Sequence, residues 1–278
     1  MNWTVVSESR CFEGTQGVYT HASQATDSTM RLAVYRPPVR SGARLPVLFW
    51  LSGLTCTEEN FVVKAGAQRI AAELGMIVVA PDTSPRVPLP GDAESYDFGA
   101  GASFYLDATV APWSRHYRME TYVADELPEV IAAHFPIDMG RIGIFGHSMG
   151  GHGALALALK HPARFRTVSA FAPIASLLHA PWGRKALAGY LGEDVAAWQE
   201  HDVASLIRSR RWQGPPLLVD QGMADAFLDR ELQPERLAAA CVEAGVPITL
   251  NRREGYDHSY FFIATFMASH LAHHAAFL

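Results

Sequence analysis

At 278 residues the chain is long enough for one large α/β domain with a substantial core, or for two small domains. Hydrophobic residues make up 49% and charged residues 18%, a globular composition that excludes a disordered or fibrous chain. The net charge is −5 and no basic cluster interleaves with aromatics, so nothing recruits nucleic acid or an anionic membrane.

The opening, Met1 to Arg10, lacks an apolar core of signal-peptide length. Short segments rich in β-branched and aromatic residues predict strands over Thr4–Cys11, Gly17–His21 and Met30–Tyr35. Pro37-Pro38 and Ser41-Gly42 predict a loop. Val47–Leu51 is a continuous apolar run, as expected of a strand buried on both faces. The whole run Leu45–Leu51 is far too short to span a bilayer. Ala65–Leu74 reads as a helix closed by Gly75, and Met76–Ala80 as a strand stopped by Pro81.

From Pro81 to about Trp113 the chain is rich in Gly, Pro and Asp and carries Phe98-Gly-Ala-Gly-Ala-Ser-Phe-Tyr105. A loop of that length points to function, and its aromatics point to order. Tyr117–Phe135 reads as a long helix that Pro128 should kink or split. Strands follow at Arg141–Phe145, Val168–Phe171, Pro216–Asp220 and Ile248–Asn251, with helices at Leu232–Ala244 and Ser259–His273. A partly helical insert at about 174–214, with Pro181-Trp182-Gly183 and Trp198, interrupts the alternation. Strands alternating with helices predict an α/β fold, one domain over 1–278 with a mostly parallel sheet covered on both faces.

Ile144-Phe-Gly-His-Ser-Met-Gly-Gly-His-Gly153 is the most informative segment. It contains G-x-S-x-G as Gly146-His147-Ser148-Met149-Gly150, after a strand and before a helix-forming stretch, which is the context of a nucleophile elbow. Such a turn presents Ser148 at a helix N-terminus, where developing negative charge is favoured. A serine needs a base, and the base needs an orienting acid. In strand–elbow–helix hydrolases both follow the serine, in the order acid then histidine.

His258, in the loop between the last strand and the last helix, is the candidate base among twelve histidines. His147 and His152 are tied to the elbow and its helix and cannot easily swing onto the hydroxyl. His270, His273 and His274 read as surface or packing residues. Asp225, five residues beyond Asp220, is the candidate acid. Asp220 is too close to the strand end, Asp229 is placed to cap the next helix, and Asp257 abuts His258. An oxyanion hole needs two backbone N–H groups. Met149 supplies one, and Leu54 in Ser52-Gly-Leu-Thr-Cys-Thr57 the other, with Gly53 making the turn. The three cysteines, Cys11, Cys56 and Cys241, are odd in number and widely spaced. They predict neither a disulfide framework nor a zinc site, and fit a reducing cytoplasm.

These segments together resemble one family, the S-formylglutathione hydrolases (esterase D) of the α/β-hydrolases. The resemblance rests on Leu51-Ser-Gly-Leu-Thr-Cys-Thr-Glu-Glu-Asn60, Gly99-Ala-Gly-Ala-Ser-Phe-Tyr-Leu-Asp-Ala-Thr109, Pro181-Trp-Gly183 and Tyr256-Asp-His-Ser-Tyr-Phe-Phe-Ile263 besides the elbow. It also takes in Ala33-Val-Tyr-Arg-Pro-Pro38, Tyr117-Arg-Met119, Asp220-Gln-Gly222 and Ala224-Asp225. The pieces keep their order over nearly the whole chain.

The resemblance implies hydrolysis of S-formylglutathione to glutathione and formate, the last step of glutathione-dependent formaldehyde detoxification. It implies Ser148, Asp225 and His258 as the triad, no cofactor, a small-molecule glutathione thioester as partner, a cytoplasmic location and a homodimer. It also places Cys56 near the active site, sensitive to thiol reagents without being the nucleophile. Trp182 is a candidate wall for the substrate. The chain departs from the family pattern at Ala180, Arg184 and Lys185; Arg184 or Lys185 is a candidate partner for a glutathione carboxylate. The rival readings are a general short-chain carboxylesterase, an acyl transferase to a non-water acceptor, and a non-catalytic hydrolase-fold binding protein. The last would normally lack a triad member, and none is missing here.

Overall fold

The computed structural model describes residues 2–39, 42–92 and 95–278. Ser41 of the expected loop, and Ala93 and Glu94 of the long loop after Pro81, lie outside the described residues. Three antiparallel strands come first: β1 (Trp3–Cys11), β2 (Gly14–Ser23) and β3 (Ser28–Arg36). Six more follow: β4 (Leu45–Leu51), β5 (Ile77–Pro81), β6 (Ile137–His147), β7 (Thr167–Phe171), β8 (Leu217–Gly222) and β9 (Ile248–Arg253). They join one nine-stranded sheet in the order β1-β2-β3-β5-β4-β6-β7-β8-β9. β3 meets β5 antiparallel, and every pair from β5 to β9 is parallel. β5, β7 and β8 are buried at every residue, including the polar Thr167, Ser169, Asp220 and Gln221, as expected of central strands in a sheet covered on both sides.

Among the described residues the α-helices between and after the strands are α1 (Glu58–Lys64), α2 (Ala67–Leu74), α3 (Met119–Thr121), α4 (Leu127–His134), α5 (Met149–Lys160), α6 (Pro181–Leu191), α7 (Val195–Trp198), α8 (Val203–Arg210), α9 (Pro234–Ala244) and α10 (Tyr260–Ala275). α10 packs on β7, β8, α1 and α2, whereas α5 packs on β4, β6, β7 and α8, and α8 on α9. Two helical groups therefore sandwich the sheet, and the α/β fold expected from the sequence is the one observed.

Two local readings need correction. The helix expected at Ala65–Leu74 is α2, which starts two residues later at Ala67, behind Gly66 at φ 66°. α1 escaped notice, although Thr57 and Asn60 form a capping box at its start. The helix expected at Tyr117–Phe135 starts at Met119, and its interruption falls just ahead of Pro128 rather than at it. Pro128 sits in the first turn of α4, directly after a π-turn at Tyr122–Glu126 that joins α4 to α3. A widened turn removes the clash that a proline ring makes with the carbonyl four residues back.

Candidate active site

β6 ends at His147 and α5 begins at Met149, so Ser148 alone makes the turn, at φ 58° and ψ −120°. A non-glycine residue there costs on the order of 1–3 kcal/mol and persists only where its surroundings enforce it. Here the Ser148 N–H donates to the Phe171 carbonyl at 3.0 Å, and the Ser148 carbonyl accepts from His152 N–H at 2.9 Å. The flanking glycines permit close approach. A Cβ on Gly150 would lie 2.0 Å from the Leu51 carbonyl oxygen, and one on Gly146 2.3 Å from the Gly150 oxygen. Ser148 is 3% exposed and lines a cavity of about 340 Å³.

The loops after β8 and β9 bring acid and base together. The Met223 N–H donates to Arg253 O at 3.0 Å and the Ala224 N–H to Tyr256 O at 2.9 Å, so the two loops are stitched side by side. His258 Nδ1 then lies 2.5 Å from Asp225 Oδ2. The Asp225 side chain is fully buried, and its other oxygen accepts from Phe227 N–H at 2.8 Å. An ionised carboxylate only accepts, so the proton sits on Nδ1 and the Nε2 lone pair is free. His258 lines the same cavity as Ser148.

The competing residues are occupied elsewhere. Asp220 is buried in β8. Burial pushes its pKa up, but the nearby His270 ring, 3.7 Å away, together with hydrogen bonds from Asn251 and Arg253, outweighs burial and holds it below the usual range. Asp229 does not cap a helix, because α9 opens at Pro234 behind Gln233. Asp257 accepts from the Ser259 N–H at 3.0 Å and from its hydroxyl. The His152 ring is clamped between the carbonyls of Ile174 and His201, at 2.9 and 2.8 Å. His270 and His274 are buried and bonded to Ser169 and Thr167. His147 lies with its ring 4.3 Å from that of His258, and burial together with that neighbour holds its pKa well below 6.5.

The turn after β4 faces the elbow. Thr55 N–H donates to Gly101 O at 2.9 Å and Cys56 N–H to Gly53 O at 3.3 Å; the Leu54 amide makes no hydrogen bond among the described residues. Met149 is the first residue of α5, so its amide has no partner within the helix. The expected role of Gly53 needs refinement. The residue with positive φ in this turn is Thr55, at 67°. A Cβ on Gly53 would stand 3.2 Å from Ser148 Cβ and 3.3 Å from His147 Nδ1, so its missing side chain lets the turn approach the elbow. The long loop after Pro81 braces this turn. Besides the Gly101 carbonyl, it contributes the Tyr105 hydroxyl, which donates to Ser52 O at 2.9 Å.

Trp182 does line the cavity, beside Tyr96, Phe227 and Tyr260. Its ring meets Phe227 at 4.8 Å and Tyr96 at 6.0 Å. Its backbone N–H donates to Glu231 Oε2 at 3.1 Å, a carboxyl whose pKa burial raises. Cys56 is a further lining residue, and burial pushes its thiol pKa up. The basic pair read as a carboxylate partner does not fit that role. Lys185 is engaged by Asp97 at 2.6 Å and Ser95 at 2.7 Å, and Arg184 does not line the cavity. Sequence reading missed Asn60, Lys64, Tyr96, Phe227 and Tyr260. Phe227, two residues past the acid, and Asn60 and Tyr260, inside the segments that carry the resemblance, had a signal; Lys64 and Tyr96 had none. Among the described residues no cluster of His, Cys, Asp and Glu could hold a metal ion, and no helix is long and apolar enough to cross a membrane.

The family model described as "Putative esterase" matches residues 23–273. The chain is 50% identical over 277 residues to an S-formylglutathione hydrolase of Rattus norvegicus, with 98% of each chain covered. It is 54% identical over 273 residues to an S-formylglutathione hydrolase of Paracoccus denitrificans, covering 98% of this chain and 97% of the relative. This chain belongs to the S-formylglutathione hydrolase family. Its backbone matches the solved structure of an S-formylglutathione hydrolase from Agrobacterium tumefaciens with a TM-score of 0.96, at 48% identity and full coverage of both chains. It is a hydrolase with the α/β fold of that family, acting on a small-molecule substrate.

Proposed function

We propose that the enzyme hydrolyses S-formylglutathione to glutathione and formate, with Ser148 as nucleophile, His258 as base and Asp225 as the orienting acid. One observation carries the chemistry. A strained serine at a helix start shares a cavity with a histidine whose Nδ1 lies 2.5 Å from a fully buried carboxylate. The substrate follows from the names of relatives at 50% and 54% identity.

In the first half-reaction Ser148 Oγ attacks the formyl carbon while its proton passes to His258 Nε2. The Leu54 and Met149 amides bind the oxyanion, each contributing on the order of 3 kcal/mol. The C–S bond then breaks, and the glutathione sulfur leaves, taking the proton from His258. In the second half a water attacks the formyl ester, gives its proton to His258, and the Ser148 oxygen leaves and recovers it, releasing formate. Asp225 stabilises the imidazolium in both halves. Gly53, Cys56 and Trp182 shape the site, Gly53 by letting the oxyanion turn approach and the other two as walls. The segment 174–214 is an insert in a single domain over 1–278, and it supplies Trp182. A homodimer in the cytoplasm, with a place in formaldehyde detoxification, completes the reading.

The test is a fluorophosphonate probe followed by peptide mapping, beside Ser148→Ala. Label on the peptide containing Ser148, and a turnover loss of at least about 10⁴-fold in the variant, are expected. Wild-type turnover in Ser148→Ala would sink the mechanism.

A further inference from the structure

Apart from the imidazoles of His147 and His258, the cavity over Ser148 is lined, among the described residues, by one basic side chain and by no carboxylate. That cation is Lys64, in the last turn of α1. It is exposed and has no ion pair among the described residues. Its ammonium stands 5.7 Å from the centroid of the Tyr260 ring, another wall of the cavity, so the charge is drawn over the pocket. Asn60, four residues earlier, lies on the same helix face and lines the same cavity. Its Oδ1 accepts the Thr57 N–H at 2.9 Å, which turns the amide so that Nδ2 remains available as a donor.

The substrate read above has a neutral formyl group on a tripeptide that carries two carboxylates and one ammonium. Only the leaving half offers an anion. We infer that Lys64, assisted by the Asn60 side-chain amide, holds a carboxylate of the glutathione half and so makes the site select a glutathione thioester over neutral acyl donors. Lys64 takes the part that Arg184 and Lys185 cannot, because Lys185 is already neutralised by Asp97 and Arg184 does not line the cavity. Lys64 touches no reacting atom. It is a specificity residue, and it rests on the reading of S-formylglutathione as substrate.

The test compares kcat/KM for S-formylglutathione with that for S-formyl-N-acetylcysteamine, a neutral thioester with the same acyl group, on wild type, Lys64→Met, Lys64→Glu and Lys64→Arg. The ratio of the two constants should fall about tenfold in Lys64→Met, the loss expected for one charge-assisted contact at a partly screened site. The change should fall mainly on KM. Lys64→Glu should lower the ratio further, and Lys64→Arg should largely restore it. Added NaCl should lower the wild-type ratio and leave that of Lys64→Met nearly flat. A high wild-type ratio kept within about twofold by Lys64→Met overturns the assignment of Lys64 alone. A wild-type ratio near one overturns the glutathione reading as well.

Discussion

Asp225→Asn isolates the acid with almost no change in shape. The side chain is fully buried, and its two oxygens have different partners: Oδ2 takes His258 Nδ1 at 2.5 Å, Oδ1 takes the Phe227 N–H at 2.8 Å. A carboxylate can accept from both. An amide cannot. If its oxygen stays on the Phe227 N–H, its NH₂ faces His258 and forces Nδ1 to accept. The imidazole proton then moves to Nε2, where the serine needs a lone pair. If the amide is reversed, its NH₂ opposes the Phe227 N–H in a buried site, at a cost of about 1–3 kcal/mol. The first orientation therefore prevails, and the variant folds around a histidine in the wrong tautomer. Loss of the tautomer and of the charge that stabilises the imidazolium should cut kcat about 10⁴-fold, or about 5.4 kcal/mol. The assay is kcat on S-formylglutathione and on p-nitrophenyl acetate, with a melting curve to establish folding. Asp220→Ala is the control. It breaks the buried contacts to Arg253 and Asn251, so it should lose about 3 kcal/mol of stability while its kcat stays within several-fold of wild type. If Asp225→Asn kept kcat within tenfold, or if Asp220→Ala lost activity as steeply at full folding, the assignment of the acid would be wrong.

Gly150→Ala would drive a Cβ into the carbonyls at and just past the end of β4, 2.0 Å from Leu51 O and 2.5 Å from Ser52 O. We expect about 2 kcal/mol of lost stability and at least about a hundredfold loss of kcat, since the Met149 amide must move; near-normal kinetics would refute the close packing. Acid should destabilise the fold. Burial lowers the pKa of His147, His270 and His274 below 6.5, so below that pH the unfolded chain binds protons that the folded chain refuses. Stability is full above 6.5 and falls as the pH drops, by about 1.4 kcal/mol per pH unit for each such group; a melting temperature flat from pH 7.5 to 5.5 would contradict this. Cys56 should inactivate slowly with iodoacetamide at neutral pH and faster as the pH rises, because burial raises its pKa. Cys56→Ser should abolish that inactivation, and unchanged sensitivity would remove Cys56 from the wall.

The parallel half of the sheet was legible because most of its strands hold a short apolar run close to a Gly, Pro or Asp, as in Leu217-Leu-Val before Asp220. The elbow was legible because chemistry and backbone demand the same residues there. The β1–β2 hairpin was not, since its turn uses Phe12 and Glu13 at φ 46° and 59° where Asn or Gly would be expected. α1 was hidden because a seven-residue helix spans barely two turns and shows little periodicity. The candidates Ser148, Asp225 and His258 could be picked out from loop order alone, and the structure brings the last two into contact. Only part of the wall could be picked out, Trp182 and Cys56, because Tyr96 and Lys64 reach the cavity from separate elements and no local pattern announces them. Lys185 illustrates the same limit: its charge was visible, but its partner Asp97 lies 88 residues away.

The most direct measurement is kcat/KM for S-formylglutathione and for p-nitrophenyl acetate on one purified preparation. Binding energy from the glutathione half should favour the thioester by at least about a hundredfold. Equal constants, or a preference for the ester, would leave the triad standing and contradict the assignment of a glutathione thioester as the substrate.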